Sequence, residues 1–357
     1  IVKGSLKVQV GNHVDVLHEG DSIFYNSLIP HGMVAVSEGG CEFHAVVLNP
    51  HDGTVSEEYP EAPMVAAKAA AKKKKTETVA DKFIESFYDE NGVFNGIKFK
   101  NADSFNFAFD CVDAIAEKTP DKRAMMWVGN DKSERCFTFA DMKKYSAKTA
   151  NYFESLGIKK GDAVMLMLRR RYEFWYMLLA LHKIGAIAVP ATVQLLPSDI
   201  TYRIEKANIK MVVALNEENV ISHIEDSIYE LKEKYFDNKK VPKVLLANGK
   251  KDYWINFESL FEKASSDFTE NPCSENDDIS ILYFTSGTSG YPKMVSHNYF
   301  YPLGHIVTAK CWQNVKENGL HLSLAETGWA KALWGKIYGQ WLCGCGVFVY
   351  DMDSFVP

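Results

Sequence analysis

Short runs of alternating apolar and polar residues occupy the first 50 positions of the chain. The runs are residues 5–10, 14–17 and 23–25. Residues typical of turns separate them, at Gly11-Asn12, Glu19-Gly20-Asp21 and Pro30-His31-Gly32. A period of two residues, interrupted at this spacing, predicts the short strands of an all-β barrel or sandwich.

From residue 105 onward, helical runs alternate with strand-like runs. The pattern predicts helices at 105–118, 172–184, 198–207 and 220–234, and a further helix that Thr138 caps and Gly157 stops. Strands are predicted at 124–128, 136–139, 163–168, 185–190, 211–215, 244–247 and 279–284. Residues 163–168 are apolar on both faces, which is typical of a strand inside a parallel sheet. The succession predicts a layered, largely parallel α/β sheet, in which ligands usually bind at the carboxyl ends of the strands.

Residues 51–80 differ in composition from the regions on either side. They contain two prolines and an Ala/Lys tract, and the tract ends in four consecutive lysines at 72–75. Alanine and lysine favour a solvated, partly helical spacer, and like charges extend it. We therefore predict three parts: residues 1–50, a linker at 51–80, and a larger domain at 81–357. A nucleic-acid patch is the alternative for the lysines, but no aromatic residues interleave with them and the net charge is −6.

The seven cysteines are odd in number and lack C-x-x-C spacing, so they indicate neither a disulfide framework nor a zinc site. A reducing cytoplasm fits this pattern best. Cys343 and Cys345 stand in an apolar stretch and are interpreted as core residues rather than ligands. No run of 18 apolar residues and no signal-peptide pattern is found, which argues against membrane insertion and export. The chain opens on Ile1 as if within a strand and stops soon after another strand-like run, so we expect both ends to be cut.

Hydroxyl side chains, two glycines and a lysine lie within nine positions, in a segment that we call the Ser/Thr-rich loop (residues 285–293). Such a loop can turn several N–H groups and side-chain donors onto one anion, which predicts a phosphate site. It is not an ordinary P-loop, because Tyr291 and Pro292 separate Gly290 from Lys293 and no helix follows directly. A solvated hairpin is the alternative; it explains the glycines and Pro292, but not Lys293 together with the hydroxyls.

The eleven residues Tyr283-Phe284-Thr285-Ser286-Gly287-Thr288-Ser289-Gly290-Tyr291-Pro292-Lys293 resemble the phosphate-binding loop of the adenylate-forming enzymes. Residues 169–176, 183–186, 190–192 and 199–204 resemble the matching regions of AMP-forming acyl-CoA synthetases of the acetyl and medium-chain type. The resemblance covers about residues 80–357. It implies that the larger domain is the incomplete N-terminal α/β layered domain of that family, without its small C-terminal domain.

The resemblance also implies roles for the loop residues. Thr285, Ser286, Thr288 and Ser289 would hydrogen-bond the β- and γ-phosphates of ATP, while Gly287 and Gly290 would let the backbone approach them. Lys293 would offset charge on the departing pyrophosphate, so Lys293 and Thr285 are the catalytic candidates. The resemblance implies ATP, Mg²⁺ bound to the polyphosphate of ATP, and coenzyme A as co-substrate. The other substrate would be a small-molecule carboxylate, namely a carboxylic (fatty) acid.

Further residues are candidates for the substrate sites. Arg171 and Arg203 are candidates for the phosphates of coenzyme A; three consecutive arginines at 169–171 also suit a solvated loop. Trp329 would wall the acyl pocket, or else pack against a helix beside Trp334. Glu326 would border that pocket, at a position where the family usually has aspartate. Phe174, Trp175 and Tyr176 are interpreted as core rather than substrate contacts.

Residues 17–22 and 29–32 resemble the second motif of the cupins, a family of β-barrels. By that resemblance residues 1–50 are the C-terminal half of a cupin-like barrel, and His31 would be one metal ligand. A lone histidine does not hold a metal, so no metal residues are assigned, and whether this part binds a metal or a ligand is left open.

The resemblance implies a two-step ligase reaction. A carboxylate attacks the α-phosphorus of ATP to give acyl-AMP and pyrophosphate, and coenzyme A then displaces AMP. The family's later motifs, including a catalytic lysine in the small domain, are not found up to residue 357, so we expect the chain by itself to turn over nothing. The alternative is a regulatory protein, in which a cupin sensor controls a non-catalytic adenylate-binding module. The sequence leaves the acyl chain length and the oligomeric state open.

Overall fold

The computed structural model describes residues 1–23, 31–37, 40–43, 78–90, 94–235, 241–268, 275–285 and 291–352. The chain divides into two compact units, Ile1–Lys73 and Lys74–Pro357. Most of the predicted linker, including its lysine tract, lies outside the described residues. Its last two positions, Val79 and Ala80, are buried in the first helix of the second unit. None of the helices in the described ranges is long and apolar enough to cross a membrane.

The first unit contains a three-stranded antiparallel sheet in the order β2-β1-β3. Its strands are β1 (Leu6–Val10), β2 (His13–Leu17) and β3 (His31–Ala35). The first two confirm the predicted strands. The turn predicted at His31-Gly32 is wrong, because both residues pair with β1, and backbone pairing outweighs the turn tendency of single residues. An all-β region is thus present, whereas a closed cupin-like barrel is not seen in the described part of this unit.

The second unit is a layered α/β structure, as the alternating pattern predicts. Its helices are α1 (Val79–Phe83), α2 (Ala114–Lys118), α3 (Phe139–Ser155), α4 (Glu173–Ile184), α5 (Pro197–Ala207), α6 (Glu218–Lys234), α7 (Phe257–Phe261), α8 (Tyr301–Val307), α9 (Ala330–Lys336) and α10 (Tyr338–Leu342). Its strands are β4 (Ile84–Tyr88), β5 (Phe94–Phe99), β6 (Arg123–Gly129), β7 (Glu134–Thr138), β8 (Ala163–Met167), β9 (Ile187–Pro190), β10 (Ile209–Ala214), β11 (Lys243–Leu246), β12 (Ile255–Asn256), β13 (Ile279–Thr285), β14 (Lys293–Asn298), β15 (Leu320–Leu322) and β16 (Gly346–Asp351).

A seven-stranded sheet with the order β12-β11-β10-β8-β9-β13-β14 forms the centre of this unit. All neighbouring strands are parallel except β13 and β14, which form an antiparallel pair at one edge. A second sheet has the order β15-β16-β6-β7, and β4 pairs with β5. The predicted parallel sheet is confirmed, with an antiparallel edge that the pattern does not show.

The burial of strand β8 shows that the central sheet is covered on both faces. All five of its residues are buried. Val164 and Leu166 belong to the core cluster that contains residues of α3 and α4, whereas Met165 and Met167 belong to the cluster that contains residues of α5 and α6. Because side chains alternate along a strand, a run that is apolar at every position is buried only when both faces are covered.

The helix boundaries follow local signals in the sequence. Thr138 caps α3 as predicted: its Oγ1 accepts from the N–H of Asp141 at 3.1 Å, and Asp141 Oδ2 accepts from the N–H of Thr138 at 2.9 Å. The chain leaves α3 through Gly157, whose φ of +87° suits glycine. The predicted helix at 105–118 begins as a π-helical segment (Phe107–Asp113) and continues as α2.

The core interpretations of the apolar candidates are confirmed. Phe174, Trp175 and Tyr176 are buried in α4, and Cys343 and Cys345 are buried beside α10. A buried ion pair lies in the same core, between Lys183 of α4 and Asp113 of the π-helical segment.

Candidate functional site

The Ser/Thr-rich loop joins β13 to β14 at the carboxyl edge of the central sheet. Thr285 ends β13 and Lys293 begins β14, and the two residues are direct partners in the antiparallel register. Both are exposed. Residues 286–290, with the predicted phosphate ligands Ser286, Gly287, Thr288, Ser289 and Gly290, lie outside the described residues. The structure therefore brings both catalytic candidates to one position, on the stem of a hairpin.

Helix α5 supports this stem through aromatic contacts. The ring of Tyr202 stacks on that of Tyr291, with centroids 4.7 Å apart and an interplanar angle of 13°. The Tyr202 hydroxyl donates to the carbonyl oxygen of Pro292 at 3.2 Å, and its ring meets that of Phe284 edge to face at 6.2 Å. The backbone immediately before Lys293 is thus held by one side chain of α5.

Arg203, the next residue of α5, also contacts the stem at Phe284. Its guanidinium carbon is 5.1 Å from the centroid of the Phe284 ring, and Nη1 donates to the carbonyl oxygen of Asp199 at 2.9 Å. Nη1 also lies 3.5 Å from Asp199 Oδ1. Burial lowers the pKa of the Arg203 guanidinium, against the opposing effect of Asp199.

A cavity of about 320 Å³ opens between α5, the end of β9 and the hairpin stem. Its lining residues are Pro190, Ala191, Thr192, Leu195, Asp199, Arg203, Phe284, Pro292, Gly328 and Trp329. Trp329 is 60% exposed and forms part of this wall. The structure therefore brings two sequence candidates, Arg203 and Trp329, to one cavity beside the base of the Ser/Thr-rich loop.

The segment before Trp329 is packed tightly against the ends of the central strands. The N–H and the hydroxyl of Thr327 both donate to the carbonyl oxygen of Arg169, which follows β8. At Gly328 a side chain would meet backbone, since an added Cβ would lie 2.3 Å from the nitrogen of Thr192. Glycine is needed here for this close approach rather than for its φ angle.

Glu326 lies at the same wall, with its carboxyl group mostly enclosed. Its Oε1 accepts from the N–H of Gly328 at 3.2 Å. Burial raises the pKa of this carboxyl group, and hydrogen bonds from Gly328 and Thr192 and the charges of Arg170 and Arg169 act in the opposite direction. Glu326 thus contacts two residues of the cavity lining, Gly328 and Thr192.

Two cations hold the backbone just before Glu326. Arg170 donates to the carbonyl oxygen of Leu324 through Nε at 3.2 Å and Nη2 at 3.1 Å. Lys336 donates to the carbonyl oxygen of Ser323 at 3.3 Å and to that of Ala325. Lys336 was not a candidate in the sequence, because its burial depends on contacts with residues that are distant along the chain.

Arg171 lies apart from Arg203, at a second cavity of about 420 Å³ beside the β6–β7 turn. Its guanidinium group pairs with Glu173 at 2.6 and 3.1 Å and lies over the rings of Trp127 and Tyr172. Asp351 lines the same cavity, and burial raises its pKa to about 6. Of the two arginine candidates, only Arg203 lies at the cavity of Trp329.

Metal-ligating side chains do not cluster in the described ranges: no group of three or more His, Cys, Asp or Glu residues that could hold an ion is found there. The site assembled from these residues has an exposed lysine and threonine at the loop stem, an arginine, and a partly apolar cavity. Such a site suits an anion beside an organic group.

Comparisons with known proteins bear on this site. A family model described as "AMP-binding enzyme" matches residues 112–356. The human protein "Acyl-coenzyme A synthetase ACSM4, mitochondrial" is 32% identical over 261 residues, which are 71% of this chain and 43% of that protein. Human "Acyl-coenzyme A synthetase ACSM3, mitochondrial" is 28% identical over 280 residues, 76% of this chain and 46% of that protein. The chain thus spans less than half the length of these curated relatives.

Solved structures share the fold. The crystal structure of a Brucella canis acyl-CoA synthetase has a TM-score of 0.59 at 21% identity and covers 71% of this chain and 44% of its own. The anthranilate CoA ligase AuaEII, solved in complex with anthranoyl-AMP, has a TM-score of 0.55 at 20% identity and covers 67% of this chain and 44% of its own.

Proposed function

Because the chain belongs to the AMP-binding enzyme family, we propose that it takes part in the ATP-dependent activation of a carboxylic acid and its transfer to coenzyme A. The activity is proposed for the whole protein, as the chain spans less than half of the curated relatives it matches. These relatives carry the name acyl-CoA synthetase, which favours a ligase over the regulatory alternative. The observation that carries the proposal is the position of Thr285 and Lys293 on one hairpin stem beside the cavity of Arg203 and Trp329.

In the first step, one carboxylate oxygen of the acid attacks the α-phosphorus of MgATP, and the bond to the bridging oxygen of pyrophosphate breaks. The products are acyl-AMP and pyrophosphate. Negative charge accumulates on the departing pyrophosphate, so a fixed cation at Lys293 lowers the barrier. The β- and γ-phosphates accept hydrogen bonds from the hydroxyl groups of Thr285, Ser286, Thr288 and Ser289. Because Gly287 and Gly290 have no side chain, the backbone of the loop can approach the phosphates closely. We expect Mg²⁺ to arrive with the nucleotide, because it binds mainly to phosphate oxygens and water.

The acid binds in the cavity that Trp329 and Glu326 border. The indole of Trp329 supplies apolar surface for the acyl chain, which is the main source of affinity for such a group. In the second step the thiol of coenzyme A attacks the acyl carbon and AMP leaves. We propose Arg203 as a contact for the phosphates of coenzyme A; Arg171 remains a weaker candidate because Glu173 already pairs with it.

The proposal is tested by acid-dependent exchange of labelled pyrophosphate into ATP, with a panel of carboxylic acids of increasing chain length. The 357-residue chain and the full product of its reading frame are assayed side by side. Lys293→Ala should lower the exchange rate of the active protein by at least tenfold. The control is Lys232→Ala, since Lys232 is an exposed lysine near the carboxyl end of α6 that lines neither the cavity nor the hairpin stem. Unchanged exchange in Lys293→Ala would contradict the proposed role of the loop.

Two further proposals concern the fold of residues 1–50 and the cellular compartment of the protein. We propose that residues 1–50 are the C-terminal half of a cupin-like barrel, supported by the antiparallel sheet of β1, β2 and β3. The cytoplasm remains our prediction for the compartment, although the named relatives are called mitochondrial.

A further inference from the structure

Lys336 is a fully buried lysine at the end of α9. Its Nζ donates to the carbonyl oxygens of Ser323 and Ala325 and lies 5.7 Å from the centroid of the Trp175 ring. In the described part of the chain, no carboxylate forms an ion pair with it. A lysine is among the most expensive side chains to bury, and an apolar residue of similar length would fill the same space without this cost. An apolar residue could not donate the two hydrogen bonds to these carbonyl groups.

Those contacts control the backbone that leads to the cavity wall. The carbonyl groups of Ser323, Leu324 and Ala325 follow one another, and each accepts a hydrogen bond from a cationic side chain, either Lys336 or Arg170. Glu326 comes next in the chain, and Trp329 follows three residues later. The backbone at Gly328 lies so close to Thr192 that a Cβ has no space there, so the wall has little room to absorb a shift of residues 323–325. Such a shift would therefore alter the positions of Glu326 and Trp329.

The protonation state of Lys336 does not remove this support. Burial lowers its pKa to about 7; the charge of Arg170 acts in the same direction, while Glu326 and Asp351 oppose it. A neutral amine still has two N–H donors, which equals the number of carbonyl groups it serves. The two hydrogen bonds are therefore available both below and above neutral pH.

We propose that Lys336 is a positioning residue for the acid substrate: by fixing the carbonyl groups of Ser323 and Ala325, it sets where Glu326 and Trp329 stand in the cavity wall. This inference rests on the proposed function. It assigns Lys336 to the binding of the acid and not to that of ATP, because its contacts lead to the cavity wall and not to the hairpin stem of Thr285 and Lys293.

The test compares three variants in the pyrophosphate-exchange assay. Lys336→Met keeps the apolar stem of the side chain and removes its donors, whereas Lys336→Gln has nearly the same length as Lys336→Met and keeps two N–H donors. Lys331→Met, at an exposed lysine of the same helix, is the matched control. We expect Lys336→Met to raise the KM for the acid about tenfold and to change the order of preference among acids, with the KM for ATP altered less than twofold. Lys336→Gln should recover part of the loss, and Lys331→Met should resemble the wild type.

If Lys336→Met is inactive in the exchange assay, amide hydrogen exchange measures the same effect on the backbone. Hydrogen exchange of the amides of Thr327, Gly328 and Trp329 should become at least tenfold faster in Lys336→Met and less so in Lys336→Gln. An unchanged KM for the acid in an active Lys336→Met, an equal rise in both KM values, or unchanged exchange of these amides would overturn the inference. A full-length wild-type protein without activity on any acid would instead overturn the proposed function, and with it the acid-positioning role.

Discussion

Thr285 and Lys293 face each other across the last pair of β13 and β14. Opposed residues of an antiparallel pair lie about 4.5–5.5 Å apart at their Cα atoms, so the two ends of the Ser/Thr-rich loop are neighbours. The loop is anchored on both sides by the sheet. The hydroxyl of Thr285 and the ammonium group of Lys293 can therefore act on one bound anion without a rearrangement of the strands.

Tyr202 should affect the nucleotide rather than the acid, because it holds the residues just before Lys293. Tyr202→Phe removes the hydrogen bond to Pro292, which is worth about 1 kcal/mol, and should raise the KM for ATP about fivefold. Tyr202→Ala also removes the stacking on Tyr291 and should raise it further. Tyr229→Ala, at a tyrosine of α6 that is 68% exposed, is the control. Equal KM values for ATP in Tyr202→Ala and the control would show that α5 does not support the loop.

Gly328→Ala should displace the cavity wall, because the new Cβ would lie 2.3 Å from the backbone nitrogen of Thr192 and 2.6 Å from the carbonyl carbon of Ala191. We expect a loss of about 1–3 kcal/mol in the free energy of unfolding and a higher KM for the acid. Gly304→Ala in α8 is the matched control, since its new Cβ would meet no atom within 4 Å. Alanine favours a helix over glycine, so this control should be neutral or slightly stabilising. Urea unfolding followed by tryptophan fluorescence measures both, and equal midpoints would refute the predicted clash.

Lys183→Met should strongly destabilise the second unit, because it leaves the carboxyl group of Asp113 buried without its cation. Breaking a buried pair from one side costs about 3–5 kcal/mol. Burial already raises the pKa of Asp113, and loss of Lys183 should raise it further. The double variant Lys183→Met/Asp113→Leu should recover most of the loss. A double-mutant cycle by urea unfolding tests this, and simple additivity of the two changes would rule the coupling out.

The stability contribution of Lys336 should depend on pH with a defined sign. Its pKa is about 7 in the folded protein and close to its ordinary value of 10.5 when unfolded. Between these values the unfolded chain binds the additional proton, so this residue makes the folded state more stable as the pH rises from 7. Between pH 7 and pH 9, the free energy of unfolding of the wild type should therefore rise by about 2 kcal/mol relative to that of Lys336→Met. A difference that stays constant over this range, measured by urea unfolding, would exclude the lowered pKa.

Local signals predicted the elements of the second unit well. The run at 163–168 identifies β8 as an interior strand, and Thr138 with Asp141 identifies the start of α3. Both signals act over a few residues. The antiparallel return of β14 matches only the hairpin that the sequence offers as the alternative for the Ser/Thr-rich loop, because the direction of an edge strand depends on its neighbour and not on its own pattern. In the first unit, local signals predict a turn at His31 and Gly32, whereas both residues pair with β1 through a long-range contact.

In the candidate site, too, the sequence indicates individual residues but not the long-range contacts between them. The sequence named Lys293, Arg203 and Trp329, and the structure brings the last two to one cavity beside the stem that carries the first. The sequence does not show that Arg171 and Arg203 line different cavities, because the distance between α5 and the end of β8 depends on how the sheet is assembled. The sequence does not indicate Lys336, since its burial depends on the packing of α9 against residues 323–325.

The reversal of the chain at β14 has a consequence for engineering. A parallel crossover would have carried residue 293 away from residue 285 through a long connection, whereas the hairpin returns it to the adjacent strand. Residues 286–290 can therefore be exchanged as a cassette, while Tyr291 and Pro292 keep their contacts with Tyr202. Loops of other length or charge, grafted between Thr285 and Tyr291, would offer a direct route to altered nucleotide preference on an unchanged scaffold.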